Sequence, residues 1–243
     1  METKKLVEID AAYLEGGGQA LRIALSLSCI LRRPIRVVKI RAHRPKPGLA
    51  NQHVHAVNML KDNTNADVVG NTLLSTELEF TPRTIIGDMY RVDTHTADSI
   101  TLIYQTILPV LLFDGRSSRV DLTGGTNVFF APQVEYMLQV LQPNLERFGI
   151  SFKLKVLHYG FCPRGNGRCQ LDVDPVRQKK VLAHMLGSDA SSQLSGYISK
   201  EICVDDNLQD QLIIFMALAS GCSRFLSGRS PSTRAPPSTW SSK

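Results

Sequence analysis

Short apolar runs alternate with longer stretches of helical periodicity along most of the chain. Leu6 to Asp10 reads as a strand. Gly17 to Leu31 places Leu21, Leu25 and Ile30 at helical spacing and predicts a helix. Ile35 to Arg41, rich in Val and Ile, predicts a strand. Gln52 to Lys61 predicts a second helix, and Glu77 to Phe80, ended by Pro82, another strand. The same order then returns. Ala97 to Phe113 is apolar and helix-like, with no charge between Asp98 and Asp114. Arg119 to Leu122 reads as a strand, and Pro132 to Phe148 as an amphipathic helix carrying Val134, Met137, Val140 and Leu141. Ile150 to Leu157 and Cys169 to Val173 complete the second round as strands. The halves are offset by roughly 80 to 90 residues, which predicts a repeated β-α-β-α-β-β unit. Each unit sets two helices on one face of a four-stranded sheet, and such units cover one another's apolar faces.

A third unit starts at Asn207 to Gly221, NLQDQLIIFMALASG, with the helical character of the earlier first helices. No strand-helix-strand follows it. Residues 229–243, RSPSTRAPPSTWSSK, lack periodicity and are expected to be disordered. The expected fold is therefore α/β of the α+β sandwich type. It comprises two complete repeats (1–88 and 89–176), a third truncated repeat (177–228) and an aberrant tail (229–243).

Charge sharpens this picture. The chain of 243 residues carries a net charge of +6. No acidic residue occurs between Glu15 and Asp62, a window holding Arg22, Arg32, Arg33, Arg36, Lys39, Arg41, Arg44, Lys46 and Lys61. Such one-signed density favours a polyanionic partner. The five cysteines form no CxxC pair and read as reduced thiols. No apolar stretch of about 18 residues suggests a membrane span, and no signal peptide opens the chain. The expected location is the nucleus (nucleoplasm) or cytoplasm.

Three segments and Asp210 carry candidate chemistry. Glu15-Gly16-Gly17-Gly18-Gln19 lies between a strand and a helix, where glycines admit a phosphate to free N–H groups, or simply make a tight turn. Glu15 is a candidate for a metal ion or an adenosine hydroxyl. Lys39-Ile40-Arg41-Ala42-His43-Arg44, followed by Pro47-Gly48-Leu49 and Gln52-His53, sets an arginine pair suited to bidentate phosphate recognition. His53 and His55, two apart on a helix, do not share a face and are not read as metal ligands. Gly124-Gly125-Thr126-Asn127 before Ala131-Pro132-Gln133 is a second candidate backbone N–H site, or a glycine turn with Pro near a helix start. Gly160 to Gly167, GFCPRGNG, is a hairpin signal. Asp210 is open to two readings, a helix cap or a ligand.

Together, EGGGQ with Arg22, KIRAHRPKPGL with NQH, GGTN with APQ, YGFCPRGNG and NLQDQLIIFMALASG resemble the RNA 3′-terminal phosphate cyclase family, in the family's order. EGGGQ separates the chain from the nucleolar cyclase-like paralogues. The resemblance implies an ATP-dependent ligase-class enzyme that uses magnesium or another divalent metal and acts on RNA 3′ ends. In that family a histidine forms His–AMP, AMP passes to the RNA 3′-phosphate, and the vicinal 2′-hydroxyl closes a 2′,3′-cyclic phosphate. By motif match, Arg22, Arg41, Arg44 and Gln52 hold the RNA phosphate. Glu15, Gln105, Pro132, Asp210 and Gln211 line the ATP site, with Glu15 and Asp210 toward the metal.

Two departures follow. The domain inserted in the third repeat is missing between about Val176 and Lys200, and the nucleophilic histidine, within an H-T-x-x-A-I-H run, is absent. The tail from Gly228 permits a codon string whose frame, shifted by two bases, reads P-L-T-E-H-T-R-T-A-I-H-L-V-E-Q. We therefore expect a frameshift, splice variant or isoform. Three readings stand: a cyclase by descent, a catalytically silent RNA- or phosphate-binding protein, and a fragment that does not fold stably.

Overall fold

The structure, a computed structural model, describes residues 5–12, 17–84, 86, 89–113, 115–176, 206–218, 224–226 and 239–241. The chain divides into two units, residues 1–134 with 152–175, and residues 135–151 with 176–243.

The inner strands of the first unit bury every second side chain. Its elements are β1 (Val7–Asp10), α1 (Gly18–Leu31), β2 (Ile35–Val38), α2 (Asn51–Thr64), β3 (Asp67–Val69) and β4 (Leu78–Thr81). Then come β5 (Met89–Asp93), α3 (Ile100–Phe113), β6 (Ser118–Gly124), β7 (Phe152–His158) and β8 (Gly167–Val173). They form two four-stranded mixed sheets, ordered β1-β2-β4-β3 and β5-β6-β8-β7. In each sheet the first pair is parallel and the other pairs are antiparallel. A parallel pair needs a crossover, which α1 and α3 supply.

Ile35 and Val37, Leu78 and Phe80, Val120 and Leu122, and Cys169 and Leu171 are the buried faces of β2, β4, β6 and β8. The alternate positions are charged. Arg36 lies among Glu8, Glu77 and Glu79. Arg119 meets Asp172, while Asp121 accepts from Gln170 and Arg168. The α3 helix is buried on nearly every side because it contacts α1, α2, β6 and β8. Ser26 Oγ donates to the Thr106 carbonyl at 2.6 Å, locking α1 to α3. Tyr104 Oη donates to the Cys169 carbonyl at 3.1 Å, and burial pushes its pKa well up.

Three boundaries differ from the sequence expectation. The strand read to Arg41 stops at Val38, because Lys39 and Arg41 both take left-handed backbone (φ 54° and 53°). β3 and β5 lie where the pattern located no strand. β3 has only three residues, and β5 alternates exposed with half-buried positions rather than polar with core ones.

In the second unit, the helix expected to Phe148 is not uniform. Helix α4 (Val134–Tyr136), whose first residue lies in the first unit, leads into a π-helical turn over Met137–Leu141 and then α5 (Gln142–Arg147). Pro143 explains the widening: it has no N–H for the preceding turn, and its ring crowds the carbonyl four residues back. Asn144 Nδ2 donates to the Val140 carbonyl at 2.8 Å. The unit also holds α6 (Asp206–Leu218) and a strand pair, β9 (Arg224–Leu226) with β10 (Thr239–Ser241). β10 falls in the stretch expected to be disordered. Residues 177–200, where the family's inserted domain was read as missing, lie outside the described residues.

Candidate anion-binding site

Parallel strands end where helices begin, and this places the candidate residues. β1 and β2 run in the same direction, so their carboxyl ends open on the same side, as ligand crevices in open α/β sheets do. There the Gly-rich segment enters α1 and the basic loop leads to α2. No side chain caps α1 at Gly17, and no acidic residue occupies the first turn of either helix. The positive ends of both helices therefore open on the crevice.

The basic loop is tied down by its neighbours. Lys39 Nζ bonds Asp10 at 2.6 Å, and His43 Nε2 lies 3.1 Å from the Ala12 carbonyl. The Asp10 carboxyl is held below its ordinary pKa by the Lys39 hydrogen bond. The left-handed backbone at Lys39 and Arg41 costs about 1–3 kcal/mol each, and it turns the arginines back toward the helix starts. Arg41 Nη1 donates to the Gly48 carbonyl at 2.9 Å. Burial first, and then Arg44, pull the Arg41 pKa down.

Three of the expected phosphate residues converge. A Cβ added to Gly17 would lie 3.5 Å from Arg44 Nη2. A Cβ added to Gly18 would lie 3.1 Å from Arg22 Nη1 and only 2.4 Å from His53 Nε2. Arg41 is close enough to act electrostatically on His53. Gln52, the fourth, is half-buried on the first turn of α2 beside His53.

His53 is the residue that sequence reasoning passed over. It is buried, and its Nδ1 accepts from the Ala50 N–H at 3.0 Å. Burial, then Arg22 and Arg41, lower its pKa to about 3. The ring is therefore neutral with its proton on Nε2. That atom is buried and has no hydrogen-bond partner among the described residues. It is a donor aimed at the cradle around Gly18. The cue in the sequence was its place, three residues past Ala50, where a side chain folds back on the helix start.

The remaining candidates are more scattered. Gln105 is half-buried on α3. Thr101, four residues earlier and thus on the same helix face, donates to the Pro132 carbonyl at 2.7 Å, which brings Pro132 to that face. Glu15 lies outside the described residues. Asp210 and Gln211 lie on α6 in the second unit, with the Asp210 side chain outside the description. Asp210 is the fifth residue of α6 and does not cap it. Among the described residues no group of three His, Cys, Asp or Glu side chains is placed to hold a metal ion.

The GGTN segment is not an open anion site. Gly125 N donates to the Asp98 carbonyl at 2.7 Å, and Thr126 N to the Gly160 carbonyl at 2.9 Å. Its N–H groups are already used in tying β6 to the neighbouring loops.

The described residues thus define a mixed α/β protein of two similarly ordered sheets, with a cationic cradle at paired helix starts. A family model for RNA 3′-terminal phosphate cyclase matches residues 13–235. Over a gapped alignment 317 positions long, the chain is 48% identical to an RNA 3′-terminal phosphate cyclase of Drosophila melanogaster, covering 94% of this chain and 88% of the relative. A protein of the same name from Archaeoglobus fulgidus is 45% identical over 177 residues, and one from Thermococcus kodakarensis 44% over 176. Those matches cover 73% and 72% of this chain but only 54% and 51% of the archaeal proteins. The chain belongs to the RNA 3′-terminal phosphate cyclase family. No helix among the described residues is long and apolar enough to cross a membrane.

Proposed function

We propose that the chain recognises the 3′-terminal phosphate of RNA at the Arg22, Arg41, Arg44 and His53 cradle, and that its lineage's reaction is ATP-dependent closure of a 2′,3′-cyclic phosphate. The observation that carries this is the convergence of Arg44 Nη2, Arg22 Nη1 and His53 Nε2 on Gly17 and Gly18. A phosphate monoester dianion suits two guanidinium forks, a neutral N–H and a helix start. His53 gains from being neutral: a second proton on Nδ1 would break its bond to Ala50 and add charge beside two arginines.

The reaction needs an activated phosphate, because the dianion resists attack. Transfer of AMP to the terminal phosphate expels pyrophosphate. Attack by the vicinal 2′-oxygen then forms the second ester bond and expels AMP, with the arginines offsetting charge on the phosphorus. Gln105 and Pro132, drawn to one face of α3, are assigned to the nucleotide. When bound, magnesium supplies charge neutralisation on the ATP phosphates. Its expected ligands, Glu15 and the Asp210 side chain, lie outside the described residues.

A second reading, an RNA-phosphate-binding protein without nucleotidyl transfer, is favoured by one observation. The histidine in the cradle has its Nδ1 engaged and its Nε2 protonated, so neither nitrogen offers a lone pair to an α-phosphate. The proposed location is the nucleus or cytoplasm.

Fluorescence anisotropy with a short RNA ending in 3′-phosphate or 3′-hydroxyl tests phosphate recognition. The phosphate end should bind about tenfold tighter, and R41A or R44A should remove the preference. Equal binding of both ends by the wild-type chain defeats the reading. Incubation with α-labelled ATP separates the two alternatives: protein-bound AMP supports nucleotidyl transfer, and its absence supports the silent binder.

A further inference from the structure

Two loops carry aromatic side chains into solvent where β6 ends and β7 turns into β8. Phe129 and Phe130 are 86% and 103% exposed, and Tyr159 and Phe161 54% and 57%. The Tyr159 and Phe161 rings stack at 6.4 Å between centroids and 19° between planes. The loops are bound to each other. Thr126 N donates to the Gly160 carbonyl, Gly160 N donates to Thr126 Oγ1 at 3.0 Å, and Asn127 bridges to Phe161. Gly160 approaches Gly167 so closely that a Cβ would lie 2.1 Å from Gly167 N. The turn is firmly seated, yet its rings point outward. Phe130 is held in left-handed backbone, φ 61°. Exposed aromatics gathered on a fixed scaffold mark a contact surface.

The surrounding charge identifies the partner. Residues 152–171 hold Lys153, Lys155, Arg164 and Arg168 and no Asp or Glu, and residues 122–134 hold no charged residue at all. Arg164 shares the turn with Phe161 while Arg168 is engaged by Asp121, and a positive, acid-free neighbourhood with exposed rings suits a partner with a negative backbone and flat π-faces, which is single-stranded nucleic acid.

The surface is also continuous with the cradle. Asn51, next to Gln52 and His53, donates to Asp98 Oδ2 at 2.9 Å, and Thr96 donates to the same carboxylate. A Cβ on Gly165 would lie 2.4 Å from the Thr96 carbonyl oxygen. The path thus runs from the start of α2 across residues 96–98 to the turn at Phe161–Gly165 and on to Phe129 and Phe130, all within the first unit.

We propose that Phe129, Phe130, Tyr159 and Phe161 form a stacking platform for unpaired bases of the RNA strand upstream of its 3′ end. This rests on the reading that the cradle holds the terminal phosphate. Bases stack without hydrogen-bond readout, so the platform accepts many sequences. It favours ends with several unpaired nucleotides over blunt duplex ends.

The test uses the full chain and fluorescent eight-nucleotide RNAs ending in 3′-phosphate, either with all bases or with abasic upstream sugars. The wild-type chain should bind the base-bearing RNA at least tenfold tighter. The F129A/F130A/F161A variant should bring that ratio to about one with an unchanged thermal melt, since these rings are exposed. F129Y/F130Y/F161Y should keep the wild-type ratio. The proposal is overturned if the wild type shows no ratio. It is equally overturned if the alanine variant keeps the ratio, including the case where only binding of a fluorescent ATP analogue weakens and the rings serve adenine instead. Loss of the base-dependent ratio in the alanine variant supports the platform even if 3′-phosphate and 3′-hydroxyl ends bind alike; that last result would count against the cradle alone.

Discussion

At the scale of single residues, His53 and Gly18 decide whether the cradle exists. His53 is neutral when folded, with a pKa near 3, whereas an unfolded histidine titrates near its ordinary value. Between about pH 6.5 and 3 the unfolded chain binds a proton that the folded one refuses. Stability is therefore lost as pH falls through that window, by at most about 1.4 kcal/mol per pH unit from this group. In thermal melts, H53N should lose less stability than wild type between about pH 7 and 5; identical pH dependence would show that His53 protonates while folded. G18A is the complementary test. Gly18 opens α1 with ordinary helical freedom, so alanine is tolerated by the backbone. Its methyl group would enter the space between His53 and Arg22. The expected outcome is a loss of about 1–3 kcal/mol in the melt, as the buried His53 ring shifts to relieve the overlap, together with 3′-phosphate binding weakened about tenfold or more. Unchanged affinity in anisotropy would remove Gly18 from the site.

At the scale of elements, α3 organises the first unit, and its bond to α1 is specific. Ser26 is buried, and its single hydroxyl proton is shared between the Arg22 carbonyl at 2.9 Å and, across the helix pair, the closer Thr106 carbonyl at 2.6 Å. S26A should cost about 1 kcal/mol by denaturant titration, with no direct effect on the cradle arginines. A neutral result would mean that packing alone holds the pair. The elements were unequally legible. Long helices with apolar stripes, such as α1 and α2, could be read to within a few residues. Edge strands β3 and β5 could not, because a three-residue run shows no period and a sheet edge need not bury alternate side chains. The π-helical turn before Pro143 was hidden because periodicity averages over such a defect, although the proline was its visible cause. The GGTN segment looked like an anion site because glycines before a helix start fit both roles. Only the pairing of its N–H groups with Asp98 and Gly160 distinguishes them.

At the scale of the whole molecule, charge sets the expected behaviour. A net charge of +6 with an acid-free window from Glu15 to Asp62 predicts RNA binding that weakens steeply with salt. For single strands the slope of log K against log salt should be about −0.7 per phosphate neutralised. R41A and R44A should each flatten it by about 0.7 if each arginine holds one phosphate. An unaltered slope in either variant would place that arginine off the phosphate path.

The sequence by itself determined the two rounds of strand and helix, the basic character and the family, because periodicity, glycine positions and charge density are local properties. It also marked Arg22, Arg41 and Arg44. Only the tertiary structure decided that Arg44 and Arg22 meet at Gly17 and Gly18 with Arg41 acting on His53 beside them, that His53 is a buried neutral donor there, and that aromatic loops 30 residues apart in the chain share one surface. Each of these depends on parallel β1 and β2 opening their ends together and on Gly160 and Thr126 closing one loop on another. Such long-range contacts leave no period in the sequence to read.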